Sequence, residues 1–176
     1  MDDEELRQRA FHEAGHAVVG VLLGIEVTSV VVTTNVAECN THFDSYDPQA
    51  SSDDEGPLGL VLMRNQVALR LAGAASEQRA FDGHVRWAGH DIADVHRETK
   101  WMAGEAQAGA VHVEERRRAN LLVDLAWAQI EAVADRLLHE HELDGDDLYD
   151  LVVPPAIPAA EEPEGQQAPP EPESSV

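Results

Sequence analysis

Residues 2–22 constrain the chain most, because they combine the periodicity of a helix with two histidines spaced one turn apart. Apolar residues recur at helical spacing through this segment, and acidic residues open it, where the positive end of the helix dipole favours them. Gly24 predicts the end of the helix. His12 and His16 are four positions apart and therefore lie on one helical face, with Cβ atoms about 5–6 Å apart. The pattern predicts a first helix that presents two imidazoles side by side.

Glu13 directly follows the first of these histidines, which completes the motif H-E-x-x-H. Two imidazole nitrogens on one face can converge on a single Zn²⁺ ion at about 2.0–2.1 Å. The glutamate then lies beside the ion, where it can take a proton from a zinc-activated water. Ala14 and Gly15 between the histidines are small and permit close approach of another element. The motif predicts a zinc site with His12 and His16 as ligands and Glu13 as general base.

The residues alone leave the third ligand open. A metzincin would place a glycine three positions and a histidine six positions after the second motif histidine. Val19 and Leu22 occupy those positions, so that class is excluded. A carboxylate from a later helix remains, with Glu77 and Glu98 as glutamate candidates and an aspartate as a further possibility. A chance occurrence of the motif in a metal-free protein is the remaining alternative.

Composition excludes several classes of partner. The formal net charge is −22, which opposes binding to nucleic acid and to anionic lipid surfaces. Cys39 is the only cysteine, so an intramolecular disulfide is impossible, and we interpret it as an ordinary free thiol. The longest apolar run, residues 14–25, is too short to span a bilayer. We expect a cytoplasmic protein with no nucleic-acid and no membrane partner.

The rest of the chain divides into helical, extended and irregular segments. Residues 25–34 are dense in β-branched side chains and predict a strand, whereas polar and acidic residues 35–57 predict a long loop. Helical spacing predicts further helices over residues 58–81, 91–108, 114–142 and 146–152, with a break at 143–145. Residues 154–176 are rich in proline and glutamate and predict a disordered tail. The predicted domain is therefore 1–153.

Three separated blocks resemble the peptidase domain of the FtsH family of ATP-dependent zinc metalloproteases. The first is FHEAGHA at 11–17, and the third is LHEHELDG at 138–145, which is similar to the closing ETLDG of the family. The second is LAGAASE at 71–77, followed by FDG at 81–83 and GHDI at 89–92, where the family has GRAAEE and then GAxNDL. Their order and approximate spacing match the family, over about residues 5–152.

The resemblance implies a mainly α fold with a small β element near the active site. It also implies a zinc metalloendopeptidase whose third ligand is an aspartate at the start of a downstream helix. That aspartate corresponds to Asp91, for which a plain helix N-cap is the alternative role. His84, His90 and His96 cluster near it in sequence, and we interpret them as surface residues or as residues that orient a ligand. His90, the neighbour of Asp91, is also an alternative or additional ligand.

Several departures from the family pattern limit what the resemblance implies. Ala74 and His90 replace the arginine and asparagine of the family, and residues 35–57 do not match it. The sequence has no G-x-x-x-x-G-K-[ST] segment, so we expect an ATP-independent, stand-alone peptidase acting on flexible peptide or protein substrates. The alternative is a catalytically inactive zinc-binding domain used for interaction with a separate partner protein.

Overall fold

The computed structural model describes residues 2–35, 38–47 and 56–153, and it confirms the predicted mainly α fold with a small sheet. Within these residues the chain forms six helices and three strands. The helices are α1 (Asp3–Leu22), α2 (Pro57–Ala80), α3 (Gly89–Ala103), α4 (Ala108–Leu125), α5 (Trp127–Glu140) and α6 (Gly145–Val152); the strands are β1 (Val27–Val31), β2 (Asn40–Phe43) and β3 (Glu142–Asp144). The predicted tail, 154–176, lies outside the described residues.

Helix α1 begins and ends where the sequence predicts. The Asp2 carboxylate accepts a hydrogen bond from the Glu5 backbone N–H at 2.8 Å, and the Glu5 carboxylate accepts one from the Asp2 N–H at 3.1 Å. This capping box satisfies two backbone donors at the helix start. Gly24 has a φ of +73° and follows the last turn. Residues 10–20 are buried on every side, because α2, α5 and the sheet surround this half of the helix.

Small residues allow α1 and α2 to approach each other closely. A Cβ atom at Gly15 would lie 2.6 Å from the backbone oxygen of Ala72, and one at Gly20 would lie 2.8 Å from Cδ1 of Leu69. A side chain at Gly15 would require the backbone of α2 to move, and one at Gly20 would require the side chain of Leu69 to shift. The small motif residue Gly15 therefore has the packing role that the sequence predicted, and it brings α2 against the face of α1 that carries the histidines.

The sheet is antiparallel with strand order β2-β1-β3, and two of its strands were not predicted. The predicted loop 35–57 is wrong at residues 40–43, which form β2, and the predicted break at 143–145 overlaps β3. Both strands are only three or four residues long, too short for an alternating pattern to be legible. Backbone pairing of Thr41 and Leu143 with Val30 of β1 defines them instead. Residues 36–37 and 48–55 of the predicted loop lie outside the described residues.

The later helices differ from prediction at their boundaries. Helix α3 begins two residues before Asp91 and ends at Gly104, whose φ of +69° is incompatible with a continuing helix. The predicted helix 114–142 is two helices, because the chain leaves helical geometry at Ala126, and the first of them begins at Ala108. The predicted helices 58–81 and 146–152 are confirmed as α2 and α6. Among the described residues, none of the helices combines the length and the hydrophobicity that a membrane span requires.

Candidate metal centre

Helices α1 and α3 bring His12, His16 and Asp91 together, although Asp91 is distant in sequence. The two Nε2 atoms are 2.9 Å apart, and Oδ2 of Asp91 lies 3.1 Å from Nε2 of His12 and 3.4 Å from Nε2 of His16. Asp91 is the third residue of α3 and does not cap it, so the N-cap alternative is wrong. Its carboxylate instead turns towards the histidines. These are the three residues that can hold a metal ion within the described part of the chain.

The spacing of the three atoms fits a four-coordinate cation. Ligands bound at about 2.0–2.1 Å around a tetrahedral ion lie about 3.3–3.4 Å from one another. The distances between the three atoms here are 2.9, 3.1 and 3.4 Å, close to that value. Two imidazoles and a carboxylate form a donor set that zinc accepts, and three protein ligands leave a fourth position for water or substrate.

The hydrogen bond that each histidine makes through Nδ1 fixes the direction of the lone pair on its Nε2. Nδ1 of His12 contacts Oε1 of Glu77 at 2.7 Å, and Nδ1 of His16 contacts the backbone oxygen of Leu69 at 2.9 Å. Both partners are acceptors, so each Nδ1 carries a hydrogen, and each ring in its neutral form directs its Nε2 lone pair inwards. Two lone pairs and a carboxylate oxygen thus face one another, an arrangement that only a cation between them stabilises.

Glu77 is therefore an orienting residue in this structure and not a third ligand. Its buried carboxylate accepts from His12 and also from the backbone N–H groups of Arg86 at 2.7 Å and Trp87 at 3.2 Å. Carboxylates that fix the ring of a metal-binding histidine are common in zinc sites. The other glutamate candidate, Glu98, contacts Gln66 and Arg70 and lies outside the cluster. Of the candidate acids, only Asp91 reaches both histidines.

The contacts within this cluster shift two pKa values in the directions that favour a bound positive charge: the pKa of His12 is raised and that of Asp91 is lowered. Burial by itself lowers the pKa of His12, but hydrogen bonds to Asp91 and Glu77, with the nearby Glu13 carboxylate, outweigh it and raise the pKa to about 9. Burial by itself raises the pKa of Asp91, yet the neighbouring His16 charge and the contacts to both rings hold it well below its usual range. The cluster therefore takes up a cation, whether a proton or a metal ion.

We expect zinc affinity to rise with pH, because the metal must displace the proton of His12. With the pKa of His12 at about 9, the proton is bound throughout the range from pH 6 to pH 8. Each unit of pH then raises the apparent affinity about tenfold, or about 100-fold over this range. Competition against a chromophoric chelator of known proton affinity measures the effect. An affinity that stays constant from pH 6 to pH 8 would contradict the arrangement.

Glu13 is buried beside the three converging atoms, as the motif predicts. The hydroxyl of Thr41 donates to its Oε2 at 2.6 Å, and Nη2 of Arg9 forms an ion pair with its Oε1 at 2.6 Å. Each carboxylate oxygen is thus held from a different side, which fixes the side chain in one orientation. The contact from Thr41 was missed by sequence reasoning, since it belongs to β2 within the segment predicted as a loop.

The three potential ligands and Glu13 line a cleft of about 480 Å³. Its other walls come from β2, from α2, from the segment before α3 and from the first turn of α3; they include Asn40, Thr41, Phe43, Arg70, Trp87 and His90. His90 is exposed and lies next to Asp91 at the cleft, whereas His84 and His96 are exposed and do not line it. The candidate site is therefore accessible from the surface while its reactive side chains are largely buried.

Gly73 of α2 lies directly against the two imidazole rings. A Cβ atom at this position would lie 2.5 Å from Nε2 of His16 and 2.9 Å from Cε1 of His12. We expect Gly73→Ala to displace the rings and to weaken zinc binding about 10–100-fold, the range seen when the support of a ligand is altered. Gly109→Ala is the matched control, because nothing lies within 4 Å of a Cβ atom there. Chelator competition compares the two, and equal affinities would contradict the placement of the rings.

Comparison with known proteins gives a distant and partial similarity. No family model matches the chain. The chain is 30% identical over 95 residues to the ATP-dependent zinc metalloprotease FtsH 4 of Synechocystis sp., a match that covers 52% of this chain and 14% of that protein. The chain thus spans about one seventh of the length of this relative. The similarity agrees with the resemblance of the three sequence blocks and only weakly suggests membership of the family.

Proposed function

We propose that this chain is a zinc-dependent metalloendopeptidase that hydrolyses peptide bonds in flexible substrates. The observation that carries the proposal is the convergence of His12, His16 and Asp91 in a surface cleft, with Glu13 fixed beside them. A zinc ion held by these three side chains would polarise the scissile carbonyl and make water acidic enough to ionise near neutral pH. The printed name of the partial relative, a zinc metalloprotease, supports the same reaction class.

Glu13 would serve as the proton acceptor and later as the proton donor. A carboxylate oxygen has two lone pairs, so the single contacts from Thr41 to Oε2 and from Arg9 to Oε1 leave capacity for a proton on either oxygen. In this role Glu13 takes a proton from the attacking water and passes it to the leaving amine nitrogen. The buried position of Glu13 keeps bulk water from competing for that proton.

The position of strand β2 supports the proposal that a peptide substrate binds in an extended conformation. It lies at one edge of the sheet, and Asn40, Thr41 and Phe43 from this strand line the cleft. An extended chain can add to such an edge through backbone hydrogen bonds, which require no particular side chains. The same strand carries the hydroxyl that holds Glu13, so a peptide placed on its edge lies next to the proposed base. Substrates must therefore be unfolded or loosely structured where they are cut.

Cleavage of an unstructured protein such as casein tests the proposal directly. We expect the zinc-loaded chain to fragment casein, and 1,10-phenanthroline to stop the reaction by removing the metal. One equivalent of zinc added back after removal of the chelator is expected to restore cleavage, whereas magnesium, which prefers oxygen ligands, is not. Fragmentation that continues unchanged in the chelator would reject a zinc-dependent mechanism.

A second candidate function is a catalytically inactive zinc-binding domain used for protein interaction. The contact that favours it is the ion pair between Arg9 and Oε1 of Glu13, since this guanidinium also donates to the backbone oxygen of Cys39 at 2.8 Å and lies over the ring of Trp87. The anchored guanidinium of Arg9 therefore occupies one carboxylate oxygen of Glu13, the proposed base. One zinc ion per chain, with no cleavage across a broad peptide library, would support this candidate over the peptidase.

A further inference from the structure

A second cavity, of about 390 Å³, lies beside the catalytic cleft. Arg70 lines both spaces, so they share a wall. The elements that frame the candidate metal centre also continue into this cavity: residues 45–47 follow β2, and Glu98 and Trp101 belong to α3. A peptide that crosses the catalytic cleft along β2 would therefore have the second cavity within reach.

Glu98 has one carboxylate oxygen without a hydrogen-bond donor. The residue is only 5% exposed, and its Oε1 accepts from Nε2 of Gln66 at 2.7 Å and from Nε of Arg70 at 3.0 Å. Its Oε2 is buried and has no hydrogen-bond partner among the described residues. Buried carboxylate oxygens are nearly always paired, because leaving one unpaired is unfavourable. Glu98 lines the cavity, so a ligand bound there can supply the missing hydrogen-bond donor.

The two arginines of the cavity are already paired with acidic side chains, and neither donates to Oε2 of Glu98. Arg70 uses Nη1 for Asp94 at 2.9 Å and Nε for Oε1 of Glu98, and Arg97 contacts the other oxygen of Asp94 at 2.7 Å. Trp101 offers an indole that is 41% exposed, against which an alkyl stem or a cationic group can pack. A cavity lined by both an indole and a carboxylate with an unpaired oxygen suits a long side chain that ends in a positive charge.

The position of Glu98 relative to Asp91 sets its distance from the reacting bond. The two residues are seven positions apart on α3 and lie on the same side of it, about 10.5 Å apart along the helix axis. An extended peptide advances about 3.3 Å per residue, so this distance corresponds to about three residues. We propose that the second cavity is a substrate subsite for a lysine or arginine side chain about three residues from the cleaved bond. The proposal rests on the peptidase function proposed above.

Peptide binding tests the subsite independently of cleavage. The full chain with Glu13→Gln, loaded with zinc, is titrated with labelled dodecapeptides of alanine and serine that carry either lysine or norleucine at one central position. We expect the lysine peptide to bind about tenfold tighter, as a charged hydrogen bond implies. Norleucine has the same stem without the charge, so equal binding of the two peptides overturns the proposal without any change at Glu98.

Adding Glu98→Gln assigns the preference to this carboxylate. Glutamine preserves the shape and an acceptor oxygen for Gln66 and Arg70, and we expect it to bring the two peptides within about twofold of each other. Glu131→Gln removes the same charge from an exposed site on α5 and is expected to leave the tenfold preference intact. A preference that survives Glu98→Gln, or that Glu131→Gln also removes, would overturn the assignment.

Cleavage profiling separates failure of the subsite from failure of the peptidase. The unaltered chain is incubated with a random peptide library, and we expect lysine and arginine to be enriched about three residues from the cut. Cleavage without such enrichment would overturn the subsite and leave the peptidase proposal standing. If no peptide is cut, the peptidase proposal fails, and the lysine-against-norleucine binding difference still decides whether the cavity binds basic side chains.

Discussion

Replacing Glu13 with glutamine is expected to reduce peptide hydrolysis about 10²–10⁴-fold while zinc binding stays close to one ion per chain. Glutamine has nearly the same shape, and its amide oxygen can still accept from the hydroxyl of Thr41, which contacts Oε2 of the native residue at 2.6 Å. The amide cannot take up the proton of the attacking water, however. Because Glu13 is not one of the three converging residues, the metal site itself should be unaffected.

The measurement is the initial rate on a fluorogenic peptide derived from a cleaved casein sequence, with zinc content determined on the same sample. Glu4→Gln is the matched control, since Glu4 lies on the same helix at an exposed position far from the cleft. It is expected to have the wild-type rate. If Glu13→Gln retained the wild-type rate with its zinc bound, Glu13 would not be the proton acceptor and the mechanism would have to be abandoned.

The sequence predicted the part of the candidate site that a single helix determines. His12, Glu13 and His16 lie within five consecutive positions, so their relative placement follows from helical geometry once α1 forms. The segment contains its own start signal at Asp2 and its own end near Gly24, and the structure has both. No tertiary information is needed to predict that two imidazoles share one face.

Asp91 could not be placed by the same argument, because its position depends on how α3 packs against α2 and how α2 packs against α1. Periodicity around residue 91 predicted a helix there but not what its first turn faces. The resemblance to a known family identified this aspartate, and the distances to His12 and His16 agree with that assignment. Glu77 illustrates the converse: a carboxylate on a buried helical face was a ligand candidate in sequence, yet it meets the outer nitrogen of His12.

The contacts that hold Glu13 were beyond sequence reasoning for a different reason. Thr41 reaches it from β2, a strand of four residues whose formation depends on backbone pairing with β1 and not on its own side chains. Arg9 is spaced four positions before Glu13, so an ion pair along the helix was foreseeable, but its burial under Trp87 depends on the segment before α3. Non-local pairing of short segments leaves little periodic signal in the sequence.

Replacing Asp91 with asparagine is expected to weaken zinc binding by more than 100-fold, the largest loss among the acidic residues considered as ligands. The change preserves shape but removes the negative charge that faces Nε2 of His12 at 3.1 Å and Nε2 of His16 at 3.4 Å. Glu77→Gln is expected to weaken zinc binding less, by about 10–100-fold, because that side chain acts on the metal only through the ring of His12. Glu98→Gln should leave the affinity unchanged.

The order of these affinities discriminates between the three acids more sharply than any one of them alone. Asp94→Asn is the matched control for Asp91→Asn, since it makes the same change one turn later on α3, where the carboxylate pairs with Arg70 and Arg97. Chelator competition at fixed pH, with circular dichroism to verify the fold, gives all four values. A loss at Glu77→Gln larger than that at Asp91→Asn would make Glu77 the third ligand, and α3 would then contribute no ligand to the centre.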